Sequence, residues 1–241
     1  HHLPVAQPLR DVDGHATGLL RGKPALLTPK LSGGHVQQPA ASHCVAVGTF
    51  LADMHLAAAE LPDEHSGIRD QAWLEQCVLD ASAHLDDADR QWVDSVYRRW
   101  LQLDRRQLPR GIIHGDLFRD NVFFDDQRLT GVIDFYNAGS GYLLFDVAVA
   151  VNDWCRSADD ALDMPRCRAL LQAYGRHRPF TASEQQAWPQ ALQLAALRFW
   201  LSRLLTNAAG SNDRHELFVG KNPAEFRRLL AWHCEHSLAM D

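Results

Sequence analysis

The sequence has little cysteine, no long apolar run and no excess of positive charge, and each shortage closes off a class of protein. Five cysteines (Cys44, Cys77, Cys155, Cys167 and Cys234) are scattered along 241 residues without a C-x-x-C pair, so neither a zinc ribbon nor a disulfide framework is encoded. They read as reduced, buried thiols. No charge-free apolar stretch approaches the roughly 18 residues a membrane helix needs, and no charged-then-apolar leader is visible. A soluble, cytoplasmic chain with no membrane partner is expected. Lys+Arg 24 against Asp+Glu 30 gives a formal net charge of −6, which argues against a nucleic-acid partner, since polyphosphate backbones are held by basic surfaces. There is no internal repeat and no low-complexity tract. What is present is a globular composition, 46% hydrophobic and 22% charged, enough for one large domain or a small lobe plus a larger one.

Along the chain, residues 8–30 alternate short apolar runs with turn signals such as Asp13-Gly14 and Arg21-Gly22, the pattern of two or three antiparallel strands. After Ser32-Gly33-Gly34 the chain becomes helical. Ser42 is the expected cap of a first helix reaching about Glu60, and further helices are expected over 68–85 and 89–106. In the last of these Trp92, Val96, Trp100 and Leu103 recur at helical spacing, which points to core packing rather than ligand stacking. Residues 110–135 break the helical period: two short apolar strands, 122–124 and 129–135, flank the turn Asp125-Asp126-Gln127, with a polar loop in front. Helices then return over 143–155, 165–176, 182–208 and 223–236.

The chemistry concentrates in the irregular segment, Gly111-Ile-Ile-His114-Gly115-Asp116-Leu-Phe-Arg119-Asp120-Asn121, followed by Val132-Ile133-Asp134-Phe135. Transfer of a phosphoryl group asks for positioning and charge neutralisation: a carboxylate to accept the nucleophile's proton and hard oxygen ligands for a divalent cation. Asp116, Asn121 and Asp134 supply that set. Each alone is an ordinary turn residue. Their order and spacing between two apolar strands make the joint pattern specific.

The segment resembles the aminoglycoside phosphotransferase and choline kinase branch of the protein-kinase-like fold, whose loop has the form H-G-D-x-x-x-x-N followed by an Asp in an apolar strand. The resemblance implies an α+β, two-lobe architecture: a partial N-terminal β lobe with hinge over 1–31, then a mainly helical catalytic lobe over 32–241. It implies Asp116 as catalytic base, Asn121 and Asp134 as ligands of Mg²⁺ on ATP, His114 and Asp146 as supports of the loop, and backbone groups near Thr28 and Lys30 as the adenine-facing hinge. Gly33-Gly34 lacks the Walker pattern and reads as a hinge turn rather than a phosphate cradle.

Within that branch, Asp116-Leu-Phe-Arg-Asp-Asn121, Tyr142-Leu-Leu-Phe-Asp146 and Asn152-Asp153-Trp154 are similar to the bacterial homoserine kinases of this fold, which implies ATP-dependent phosphorylation of the L-homoserine hydroxyl. A zwitterionic acceptor needs an anion for its ammonium and a cation for its carboxylate. Asn152, Asp153, Arg198, Trp200 and Arg203 are the substrate-binding candidates, Arg being suited to bidentate carboxylate binding. The competing expectations are that Asp153 pairs with a structural Arg and Trp200 is core, that the acceptor is choline, ethanolamine or an aminoglycoside, and that the chain is a non-catalytic binder. The strand lysine and helix glutamate of the family are expected upstream of Pro8; their absence here is read as an omitted N-terminal part, or else as a truncated homologue.

Overall fold

A β hairpin precedes a mainly helical body in the computed structural model, which describes residues 3–61, 71–159, 161–209 and 221–240. Strands β1 (Gly18–Leu20) and β2 (Lys23–Ala25) form one antiparallel hairpin. Its turn, Arg21-Gly22, takes positive φ at both residues, 52° and 77°, the two-residue geometry that matches strand twist. Residues 26–31, whose apolar run reads as a strand leading into the hinge, form no strand. Among the described residues the Leu27 carbonyl accepts from the Leu9 N–H, and Leu26 and Leu27 are exposed.

Three helices follow: α1 (Ala41–Ala57), α2 (Gln71–Ala81) and α3 (Asp87–Gln102). Ser42 is not the cap of α1. Ala40 holds that position, and the His43 ring takes the Ala40 N–H instead. Residues 68–70 of the expected second helix lie outside the described residues. Asp86 caps α3, its carboxylate accepting from the Asp89 N–H at 2.8 Å, and Val96 and Trp100 are buried in the core as the helical spacing requires.

Four short strands carry the irregular middle. β3 (Arg110–Ile113) pairs with β6 (Gly139–Tyr142), and β4 (Val122–Asp125) pairs with β5 (Arg128–Val132), both antiparallel. β6 was not expected, because Gly139-Ser-Gly-Tyr142 has two glycines and no β-branched residue, a poor composition for a strand. Gly33 and Gly34 sit against this region rather than cradling anything: Gly34 exchanges both backbone hydrogen bonds with Phe124, at 2.9 and 2.8 Å.

The helical body is completed by α4 (Leu143–Trp154), α5 (Met164–His177), α6 (Ala182–Ala208) and α7 (Pro223–Glu235). α1 packs along α5, and α6 packs on both α4 and α7. Nearly every residue of α4 is buried, so it is the central helix, covered on all sides. No helix among the described residues is long and apolar enough to cross a membrane.

Candidate active site

The loop of residues 114–121 connects β3 to β4, and its shape is imposed from outside by a ring of side chains. Three of those anchors come from α4. Asp146, Asp153 and Trp154 are seven and eight positions apart, about two turns, so they leave the helix on one face. The fully buried Asp146 carboxylate accepts from the backbone N–H of His114 at 2.7 Å and of Gly115 at 2.8 Å. Asp153 accepts from the Arg119 N–H at 2.8 Å and from its guanidinium at 3.1 Å. Trp154 Nε1 donates to the Leu117 carbonyl at 3.0 Å. From α6, Arg198 Nη1 donates to the Gly115 carbonyl at 2.6 Å, and Lys221, ahead of α7, pairs with Asp120. Leu117 and Phe118 anchor the loop from within, both buried, Phe118 stacking on Phe226.

Asp146 is itself held from behind. His55 Nε2 donates to Asp146 Oδ2 at 3.1 Å, while His55 Nδ1 accepts from the Tyr174 hydroxyl at 2.8 Å, a pattern that fixes one tautomer. Burial pushes the Asp146 carboxyl up, but the hydrogen bond from His55, followed by that from the His114 backbone N–H, outweighs it and holds it below the usual carboxylate range.

Inside the ring, the reactive residues converge. His114 is fully buried; its Nε2 donates to the Ile133 carbonyl at 3.0 Å, its Nδ1 accepts from the Asp116 N–H at 3.3 Å, and its ring lies against Phe135. Asn121 Nδ2 donates to the Asp116 carbonyl at 2.8 Å, and the Asn121 carbonyl accepts from the Ile133 N–H at 3.0 Å. Asp116, Asn121 and the residue before Asp134 are thus linked. β5 stops at Val132, three residues short of the expected end, and Asp134 stands beyond it with φ 64° and ψ 55°. A left-handed conformation in a non-glycine residue is a strained arrangement of the kind concentrated at functional sites. The Asp116 carboxylate accepts from Asn137 Nδ2 at 3.4 Å.

Next to this group lies a cavity of about 460 Å³. Gly115 and Asn137 line it from the loop side, Ser140 from β6, Glu75 from α2, Tyr97 from α3 and Arg198 from α6. Of the substrate-binding residues expected from sequence, only Arg198 reaches it. Asn152 is buried among helices, donating to the Leu192 carbonyl at 3.0 Å and accepting from His233 at 2.8 Å. Trp200 packs on Trp92 with centroids 5.6 Å apart, and Arg203 pairs with Glu225 at 2.9 Å. Together with Asp153, whose partner is Arg119, these residues hold helices and loop in place rather than facing the cavity. Thr28 and Lys30 are exposed on the extended segment after β2. Asn137, Ser140, Tyr97, Glu75 and His55 were not singled out in the sequence. Asn137 alone left a trace, three positions after Asp134.

A pinned loop bearing Asp, Asn and a following Asp beside a cavity, on a small β segment and a helical body, defines a phosphotransferase of the protein-kinase-like class. The chain belongs to the phosphotransferase enzyme family, whose profile matches residues 1–180. Within it, the chain is 44% identical to a homoserine kinase of Methylobacillus flagellatus over 98% of this chain and 72% of that protein, and 45% identical to a homoserine kinase of Pseudomonas aeruginosa over 95% and 72%. Solved structures agree on the fold at low identity. An amicoumacin kinase in complex with AMP-PNP and Ca²⁺ superposes with a TM-score of 0.67 at 14% identity, covering 97% of this chain and 72% of that one. A choline/ethanolamine kinase family protein from Mesorhizobium loti gives 0.62 at 16%, covering 96% and 72%.

The donor set suits a hard divalent cation. Asn121 spends its Nδ2 on the Asp116 carbonyl, which leaves its Oδ1 as an oxygen donor, and the Asp134 carboxylate is exposed without an ion pair among the described residues.

Proposed function

We propose that the protein transfers the γ-phosphoryl group of ATP to the hydroxyl of L-homoserine, with Asp116 as general base. One observation carries the reading: the Asp116 carboxylate, on a loop pinned by Asp146, Asp153, Trp154 and Arg198, is bonded to a residue that lines a cavity large enough for a small acceptor. The relatives named homoserine kinase, similar over most of the chain, support the choice of acceptor.

In this reading the acceptor's hydroxyl oxygen forms a bond to the γ-phosphorus as the bond to the ADP oxygen breaks, and the hydroxyl proton passes to Asp116. Asn137 Nδ2 orients the receiving carboxylate. His114 and Asp146 keep the backbone on either side of Gly115 from moving, so the base needs no reorganisation at the moment of transfer. Asn121 Oδ1 and the Asp134 carboxylate would hold Mg²⁺, which neutralises charge on the nucleotide phosphates. The backbone near Thr28 and Lys30, in the segment 1–31, would meet the adenine.

The test is ADP release by the full-length protein with L-homoserine, choline and kanamycin as alternative acceptors. Saturable turnover with homoserine and none with the other two is expected; turnover with choline or kanamycin only would overturn the acceptor. Asp116→Asn should lower kcat by about 10²- to 10⁴-fold with little change in ATP affinity, the usual contribution of a positioned base. Near-wild-type turnover in that variant would remove Asp116 from its role.

A further inference from the structure

Three residues that line the cavity each carry a buried side-chain oxygen with no hydrogen-bond partner among the described residues: Tyr97 Oη, Asn137 Oδ1 and Ser140 Oγ. Tyr97 and Asn137 are both only 7% exposed. A buried polar atom without a partner costs about 1–3 kcal/mol, so three gathered around one cavity are costly unless something that enters supplies the donors. Their chemistry says what that something carries. Asn137 gives its Nδ2 to Asp116, and a carboxylate can only accept, so the amide cannot flip and Oδ1 faces away from the base as a pure acceptor. Burial first, then the negative charge of Glu75, pushes the Tyr97 hydroxyl up, so it is a neutral phenol that can accept from a cation. Opposite in sign, the Arg198 guanidinium, whose Nη1 donates to the Gly115 carbonyl, lines the same cavity and supplies a positive charge that complements a carboxylate.

We propose that Asn137, Ser140 and Tyr97 form the face of the acceptor site that reads an ammonium group, with Arg198 taking the acceptor's carboxylate. This rests on the kinase reading above and deepens it. Asn137 is the pivot. One end of its amide orients the base and the other meets the ammonium, so an acceptor whose hydroxyl and ammonium are joined by a short carbon chain is placed with its hydroxyl at Asp116. Tyr97 and Ser140 are specificity-determining residues that do not touch the reacting atoms.

The experiment measures kcat and KM of the full-length protein and of Tyr97→Phe and Ser140→Ala with three acceptors: L-homoserine, 3-aminopropan-1-ol, which lacks the carboxylate, and 4-hydroxybutyrate, which lacks the ammonium. Each variant should raise KM for homoserine and for aminopropanol by about 10- to 100-fold, the loss of one hydrogen bond to a charged group, leave KM for ATP unchanged, and leave the poor use of 4-hydroxybutyrate no poorer. Because each deleted hydroxyl has no protein partner among the described residues, neither variant should lower Tm, which separates recognition from a structural role. An equal penalty on 4-hydroxybutyrate, or an unchanged KM for the two amines, overturns the ammonium face. So does efficient wild-type use of 4-hydroxybutyrate. Turnover of aminopropanol but not homoserine would sink the homoserine reading while the variants' selective loss on the amine still upheld this one.

Discussion

At the scale of single residues, Gly115 shows how little freedom the loop has. Its φ is 74°, its N–H is held by Asp146, its carbonyl by Arg198, and a Cβ placed on it would meet the Asn137 carbonyl oxygen at 3.1 Å. Gly115→Ala therefore adds left-handed strain of about 1–2 kcal/mol and presses on Asn137, which orients the proposed base. It should lower kcat by about 10- to 100-fold, the scale of a 1 Å misplacement, and lower Tm as well; an alanine variant with wild-type kcat would show that the loop tolerates displacement. Asp116, Asn121 and Asp134 stood out in the sequence because the proposed phosphoryl transfer asks for those residue types in that order. Asn137, Ser140 and Tyr97 did not, since what distinguishes them is an oxygen without a partner, a property of three-dimensional surroundings. Asn152 and Trp200 misled for the converse reason. A polar or aromatic residue on a helix looks the same in sequence whether it faces a ligand or another helix.

At the scale of elements, α4 does for the loop what no single residue could. Its Asp146, Asp153 and Trp154 meet three separate points of the loop from one helical face, so a rotation or slip of the helix would release all three together. Asp153 tests this. Its pair with Arg119 is largely buried, and Asp153→Ala strands a guanidinium and a backbone N–H at a cost of about 2–3 kcal/mol. Tm should drop by several degrees, and KM for homoserine should move no more than KM for ATP. A selective rise in the homoserine KM at unchanged Tm would instead return Asp153 to the acceptor site. The helices themselves were legible from their period, α6 to the residue, although the one cap expected, Ser42, gives way to Ala40. The strands were less so: 26–31 has the composition of a strand but no neighbour to pair with, whereas β6 has the neighbour, β3, without the composition. Strands depend on partners distant in sequence, and helices mostly do not.

At the scale of the whole molecule, α4, α6 and α7 are tied by a buried polar chain that titrates. His233 of α7 donates from Nε2 to Asn152 of α4, whose amide donates to the Leu192 carbonyl of α6. Burial first, then the neighbouring His236, pushes His233 down to about 3 from 6.5. Between those values the unfolded chain binds a proton that the folded one refuses, so folding stability falls as pH drops from about 6.5 towards 3, by at most about 1.4 kcal/mol per pH unit. The depressed Asp146 acts elsewhere: its contribution is complete above the ordinary Asp value of 3.8 and is lost only as pH falls below it towards the lower folded value. Acid between pH 6 and 4 therefore lowers folding stability through His233, whose proton is taken up by the unfolded chain, before it reaches the range in which Asp146 contributes. His233→Gln separates the two, because a Gln amide can still donate to Asn152 but does not titrate. Urea unfolding at pH 7, 6 and 5 should show the wild type losing stability with acid and the Gln variant losing measurably less. Parallel losses in both proteins would mean that His233 is not the group that links proton uptake to unfolding.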